Sequence, residues 1–277
     1  MKKILSAVLI TTLGFASNVT ILPYGSFIDY SKNTVKDKAY IGGVYASCLK
    51  LPYKLEVDGE FLQIKYHGAI PDYYERDLTF VGSYFIGNNY EVKLGVRNMF
   101  IDQKNNSDDY DKVFIAGVLY YKYLKYNVGV DYYYSSYDNF HVTQITPKLG
   151  FYFGDYYSEE GSFYFSAGLN LIKISDQINA GTKNDTYANG DIALSNFKGP
   201  WTTTLKASLG KSTYKVAKGG FVVYNLGEEY HYSFGVDVNY KINKKSALTL
   251  GYTRSRFEEN DKKAYSNVYA ASFSYNF

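Results

Sequence analysis

The sequence predicts an all-β fold: a closed, antiparallel, up-and-down transmembrane barrel of about fourteen strands, with twelve as the alternative count. Three observations carry that expectation. The chain ends in a strand with one aromatic and one polar face. Its first residues read as an export leader. Between these ends, apolar and polar side chains alternate with a period of two.

Counting back from the terminus, Phe277, Tyr275, Phe273, Tyr269 and Tyr265 occupy alternate positions. Asn276, Ser274, Ser272, Ala270 and Ser266 lie between them, with Val268 the one larger apolar residue in that set. Successive side chains on a strand point to opposite faces. The segment therefore offers one aromatic and one polar face, which suits a wall between lipid and water.

The N-terminus reads Met1-Lys2-Lys3, then an uncharged stretch from Ile4 to Phe15, then Gly14-Phe15-Ala16. A short basic region, an apolar core and small residues make a signal peptide over 1–17, cleaved after Ala16 or Ser17. It leaves one domain, 18–277. The apolar stretch falls short of the roughly 20 residues a spanning helix needs. No Cys lies near the cleavage point to carry a lipid anchor. Charges interrupt every later apolar run, so a membrane form of this chain has to be a closed barrel, in which no backbone group is left unpaired in lipid.

Composition agrees. Aromatics reach 19%, with 33 Tyr and 18 Phe against one Trp, as two interfacial girdles would require. The mean hydropathy of -0.29 fits strands that turn half their residues to water. Loss of Lys2 and Lys3 with the leader lowers the formal net charge from +3 to +1, which gives no footprint for nucleic acid. Cys48 is the only cysteine and forms no intrachain disulfide.

Three segments alternate most cleanly. They are Tyr230, Tyr232, Phe234, Val236, Val238 and Tyr240; Tyr90, Val92, Leu94 and Val96; and Tyr126, Val128, Val130, Tyr132 and Tyr134. The residues between them include Glu91, Lys93, Arg97, Asp131, Asp237 and Lys241. A Lys or Arg facing lipid at mid-bilayer costs roughly 2–4 kcal/mol, so the charged set points inward. The candidate lumen-lining residues are Glu91, Lys93, Arg97, Asp131, Lys148, Lys206, Asp237 and Lys241, with Gln144, Asn170 and Asn239 beside them.

Strands are expected near 20–30, 38–50, 54–67, 77–86, 90–101, 111–122, 126–136, 142–153, 163–174, 200–209, 212–224, 230–242, 245–256 and 265–277. Short connections fall at Leu51-Pro52-Tyr53, Gly87-Asn88-Asn89, Tyr123-Leu124-Lys125, Gly210-Lys211 and Asn243-Lys244, and longer polar ones mostly alternate with them. The 175–199 segment reads as the longest loop. The 200–209/212–224 pair is interrupted by Lys218-Gly219-Gly220; as an outer-loop hairpin it would leave twelve strands. Pro147 inside a strand predicts a bulge or a local break.

These leader, hairpin and terminal-strand features resemble Gram-negative outer-membrane β-barrel proteins as a broad class. The resemblance implies residence in the bacterial outer membrane and contact with its lipid and lipopolysaccharide; no phosphate-binding Gly loop or Cys-pair zinc site calls for a cofactor, and none is expected. The resemblance also implies that Tyr269, Phe273, Tyr275 and Phe277 form the signal read by the barrel-assembly machinery. A lumen carrying both signs of charge would stay wet, so the leading expectation is passive diffusion of small hydrophilic solutes or ions. The alternatives are a non-conducting structural or recognition barrel, favoured by paired charges or a folded loop in the lumen, and a channel for hydrophobic molecules, favoured by a plug or a gap in the wall. An N-terminal plug has little room before the first strand.

Catalysis is not expected. The histidines are His67, His141 and His231; His231 and Ser233, two apart on one strand face, lack the third group of a triad. The oxygen-rich run from Asp102 to Asp111 lacks the order and Gly of a calcium loop, and no metal set is assigned. Glu228-Glu229 and Glu258-Glu259 read as paired outer-loop acids that repel neighbours or meet lipopolysaccharide-bridging cations, rather than as acid–base catalysts.

Overall fold

The computed structural model describes residues 18–33, 35–103, 109–259 and 261–277. The leader at 1–17 and part of the oxygen-rich run, 104–108, lie outside the described residues. The strands are β1 (Asn18–Ser31), β2 (Lys36–Lys50), β3 (Tyr53–Tyr66), β4 (Tyr73–Ile86), β5 (Tyr90–Gln103), β6 (Asp109–Lys122), β7 (Tyr126–Ser136), β8 (His141–Gly154), β9 (Ser162–Ile174), β10 (Thr186–Lys198), β11 (Trp201–Ser212), β12 (Val216–Ala217), β13 (Val222–Val223), β14 (Glu229–Lys241), β15 (Ser246–Glu259) and β16 (Lys262–Asn276). Fourteen of them close a barrel: β1 to β11 in order, then β14, β15 and β16, which returns to pair with β1. The connections after β2, β4, β6, β8, β10 and β14 form its turn end; the others form its loop end. Among the described residues no helix is long and apolar enough to cross a membrane.

Fourteen is the expected number, but two elements change places. The 175–199 segment is not one loop, because Thr186–Lys198 is β10, paired along its length with β9 and β11. Its outward positions include Ala188 and Gly190, so it carries little apolar signal; ladders on both sides hold it instead. Conversely, 212–224 is not a wall strand. After Ser212 the chain turns into the barrel, where β12 and β13 pair only with each other. Its β-branched and aromatic residues read as a strand because they are core residues of a plug. Gly210-Lys211 is likewise no turn: both lie in β11, where the ladder to β14 shifts between Leu209 and Ser212.

Pro147 breaks the wall without a bulge. The β8/β9 ladder lacks its pairs at Thr146 and Pro147 and resumes at Lys148 in the same register. The missing N–H removes ladder bonds and leaves the alternation of faces intact.

The outer face is that of a membrane barrel. Leu94, Val118, Leu169, Leu205 and Leu250 expose an aliphatic band. At the turn end it is bordered by ring pairs such as Tyr53–Tyr84, Tyr90–Tyr120 and Trp201–Tyr240, with centroids 5.3, 5.1 and 4.5 Å apart. At the loop end, Phe27 lies between Tyr40 and Tyr269, and Phe100 against Tyr110. Cations join this second girdle, with Lys112 Nζ 4.7 Å from the Tyr110 ring and Arg254 4.9 Å from the Tyr265 ring. Two aromatic girdles around an apolar band define an outer-membrane β-barrel.

Candidate functional site: the plugged lumen

Inward-facing charges gather in one layer and pair across strands. Lys93 on β5 and Lys148 on β8 hold the two oxygens of Asp131 on β7 at 3.0 and 2.7 Å. Lys93 reaches over β6, where Gly117 leaves room: a Cβ there would lie 2.5 Å from the Lys93 side chain and 2.4 Å from the Asp131 carboxylate. Lys206 donates to both oxygens of Asp237 at 2.8 and 2.7 Å. Arg97, only 2% exposed, holds Glu60 at 2.9 Å and Asp77 more closely. Tyr24 donates to Glu60 at 2.7 Å and to Asp58 at 3.1 Å. Glu91 accepts from Ser83 at 2.7 Å. Lys241 stands exposed at the turn end of β14.

The candidates Lys93, Arg97, Asp131, Lys148, Lys206 and Asp237 thus meet partners inside the barrel. The acids of β3 and β4 that complete the layer escaped sequence reading. Their signal was present: Asp58 and Glu60 alternate with Val57, Gly59 and Phe61. On β4, Arg76 shares the strand with Glu75 and Asp77 on the opposite face, which blurred the pattern.

Above this layer, toward the loop end, the 213–228 segment fills the lumen. Gln144 on β8 treats it as a strand partner, donating to Val216 O and accepting from Val216 N, both at 2.8 Å. Lys215 donates to Asp191 at 2.6 Å, Asn189 at 2.8 Å and Ser208 at 3.2 Å. Asn225 donates to Glu75 at 2.7 Å. Lys36 pairs with Glu228 at the plug's end and with Glu259 at 3.2 Å. Tyr214 donates to Ala180 O at 2.9 Å, tying the plug to the loop after β9. Burial, then the nearby Asp111 carboxylate, pushes the Tyr214 hydroxyl up to about 12, so it stays a donor.

The plug carries its own apolar core. Val216, Phe221 and Val223 pack against Val81, Met99, Val113, Ile115 and Tyr133. Tyr214 joins Val142, Ile172, Ile174 and Tyr187, with Tyr137 and Phe140 alongside. Leu226 packs near Ala39, Ile64 and Tyr73. Phe221 meets the Tyr45 ring edge-on at 5.5 Å. The loop-side half of the lumen therefore combines apolar clusters between plug and wall with buried polar contacts at Lys36, Glu75, Gln144 and Lys215, whereas the turn-side half carries the paired charges.

The His231–Ser233 pairing does not form. The β14/β15 ladder shifts between Tyr230 and Tyr232, which turns His231 toward Glu229 and Glu258, while Ser233 lies opposite Ser208 and Ser255. His141 stacks on Tyr134 at 5.4 Å.

No protein-family model matches the chain, and no curated protein sequence does. Solved structures do. A CymD monoaromatic hydrocarbon channel aligns at 7% identity over 95% of this chain and 90% of its own, with a TM-score of 0.63. The Ralstonia pickettii toluene transporter TbuX aligns at 9% identity over 96% and 91%, with a TM-score of 0.61. The Pseudomonas putida toluene transporter TodX aligns at 10% identity over 98% and 93%, with a TM-score of 0.59. At these identities the likeness is one of fold.

Proposed function

We propose that the protein is an outer-membrane channel for small hydrophobic molecules, gated by the 213–228 plug. The observation that carries this reading is the apolar cluster of the wall, Val81, Met99, Val113 and Ile115, against which Phe221 of the plug packs. A hydrated ion at that level exchanges water for hydrocarbon, whereas an aliphatic or aromatic solute exchanges one apolar contact for another. The similar folds named as hydrocarbon and toluene carriers support the same class of solute. The hydrophilic-solute expectation needs the charged layer to line open water. Its charges are paired with one another and with the plug, which gives that expectation less support.

Uptake of radiolabelled toluene by cells lacking hydrocarbon channels, with and without this protein, tests the proposal. Single-channel recording in planar bilayers runs beside it. The expected result is faster uptake with little ionic conductance from the intact barrel. Steady conductance without toluene uptake would favour the hydrophilic class. A non-conducting barrel is the second reading, because the plug is bonded to β2, β4, β5, β8, β10 and β11 at once. It predicts neither uptake nor conductance, even when the plug is loosened.

A further inference from the structure

Where β11, β14 and β15 reach the loop end, two ladder irregularities lie side by side, one at Leu209–Ser212 and one at Tyr230–Tyr232. The second leaves His231 without a cross-strand partner. Its imidazole turns to the face that carries Glu229 and Glu258, which lie opposite each other in the ladder. That face is the outer one. The neighbours Tyr230 and Phe257 pack their rings 5.5 Å apart, with Phe257 fully buried, while Phe234 and Leu250 stand exposed further along the outward rows.

The donor atoms of Glu229, His231 and Glu258 all lie within 4.8 Å of one another. Nε2 of His231 is 3.2 Å from Glu229 Oε1 and 3.5 Å from Glu258 Oε1. Yet Nε2 makes no hydrogen bond of acceptable geometry, and neither does either Glu229 oxygen. The Glu229 side chain is only 6% exposed. The ring nitrogen is buried without a hydrogen bond, and among the described residues the only cation beside the buried Glu229 carboxylate is the half-exposed ammonium of Lys211, so a bound metal ion would satisfy both groups at once. Tetrahedral bonds of about 2.0–2.2 Å to nitrogen and oxygen place neighbouring donors roughly 3.3–3.6 Å apart. The imidazole-to-carboxylate separations come within about 0.1 Å of that range.

We propose that Glu229, His231 and Glu258 form a site for a divalent transition cation of the zinc kind, on the outer rim of the barrel. Imidazole with carboxylate favours such ions over calcium or magnesium. Three protein ligands leave a fourth position for water or an external ligand. Lys211 is the internal competitor. Its half-exposed ammonium lies 2.6 Å from Glu229 Oε1, and the metal takes its place. Arg256 and Lys183 reach Glu258 at 3.4 and 3.2 Å and hold that carboxylate in position.

The test uses untagged, folded barrel in detergent, stripped with a chelator and titrated calorimetrically with zinc chloride. Wild type is expected to bind one zinc ion. His231→Phe, which keeps a ring, is expected to weaken binding at least roughly tenfold. Lys211→Met is expected to tighten it. Heat-modifiable electrophoretic mobility shows that each variant is folded. Equal affinity in wild type and His231→Phe, or no uptake by either wild type or Lys211→Met, overturns the assignment.

Discussion

Arg97 on β5 donates a hydrogen bond of 2.8 Å to the main-chain carbonyl of Phe221, 124 residues further along the chain. The same guanidinium holds Glu60 and Asp77 from the other side. One buried cation thus closes the charged layer and seats the plug. Arg97→Met leaves two buried carboxylates without their counter-charge, a change worth about 3–5 kcal/mol for a buried pair. Denaturant unfolding in detergent should show a loss of that size. Arg97→Lys keeps the charge and loses the fork, so it should recover only part of the loss. An unchanged unfolding midpoint in Arg97→Met would remove this residue from the account of barrel stability.

Gly220 is the tightest point of the plug. Its φ of +106° disfavours any side chain, and a Cβ there would sit 2.1 Å from Ile115 Cδ1. Gly220→Val should push the plug off its seat and leave the wall intact. Limited proteolysis should then cut within 213–228 while the folded barrel band persists, and bilayer conductance should rise. A variant as protease-resistant and as silent as wild type would show that the Ile115 side chain yields to the added group and that the plug keeps its seat.

Gln144 offers a graded test of the same seat. Gln144→Leu keeps the volume but strands the N–H and carbonyl of Val216, at about 1–3 kcal/mol for each buried group left unbonded. Gln144→Glu can still accept from Val216 N–H but, ionised, cannot donate to its carbonyl. Hydrogen exchange at Val216 should therefore be fastest in the Leu variant, intermediate in the Glu variant and slowest in wild type.

The wall was legible in the sequence because each strand answers one question twice: which residues tolerate lipid. Lys93, Arg97 and Asp131 cannot face a bilayer, so alternation alone assigns them inward. What they touch was not legible. Lys93 finds Asp131 only because Gly117, on the strand between, carries no side chain. The plug was hidden for a different reason. A segment such as Tyr214-Lys-Val-Ala-Lys-Gly-Gly-Phe-Val-Val223 has strand propensity, and propensity does not tell a wall strand from a hairpin buried inside the wall. Lys218-Gly219-Gly220 gave the one available hint. The converse error at β10 came from Asn189, Gly190 and Asp191, polar or flexible residues held in place by two neighbouring strands.

The terminal strand supplies the last prediction. Phe277 N–H donates to Val19 O at 2.9 Å, the Tyr275 and Phe277 rings meet at 4.8 Å, and Tyr269 lies 6.3 Å from Phe27 on β1. These outward aromatics therefore sit along the seam where the last strand closes on the first. Their proposed reading by the assembly machinery makes the outward row sensitive and the inward row tolerant. Phe273→Ser combined with loss of Phe277 should deplete the folded, heat-modifiable form in the outer membrane and leave unassembled chain in the periplasm. Ser272→Ala on the inward row should assemble normally and serves as the control. Comparable depletion in both would mean that closing the seam, through backbone pairing common to the two rows, governs assembly, and that the aromatic face is not what is recognised.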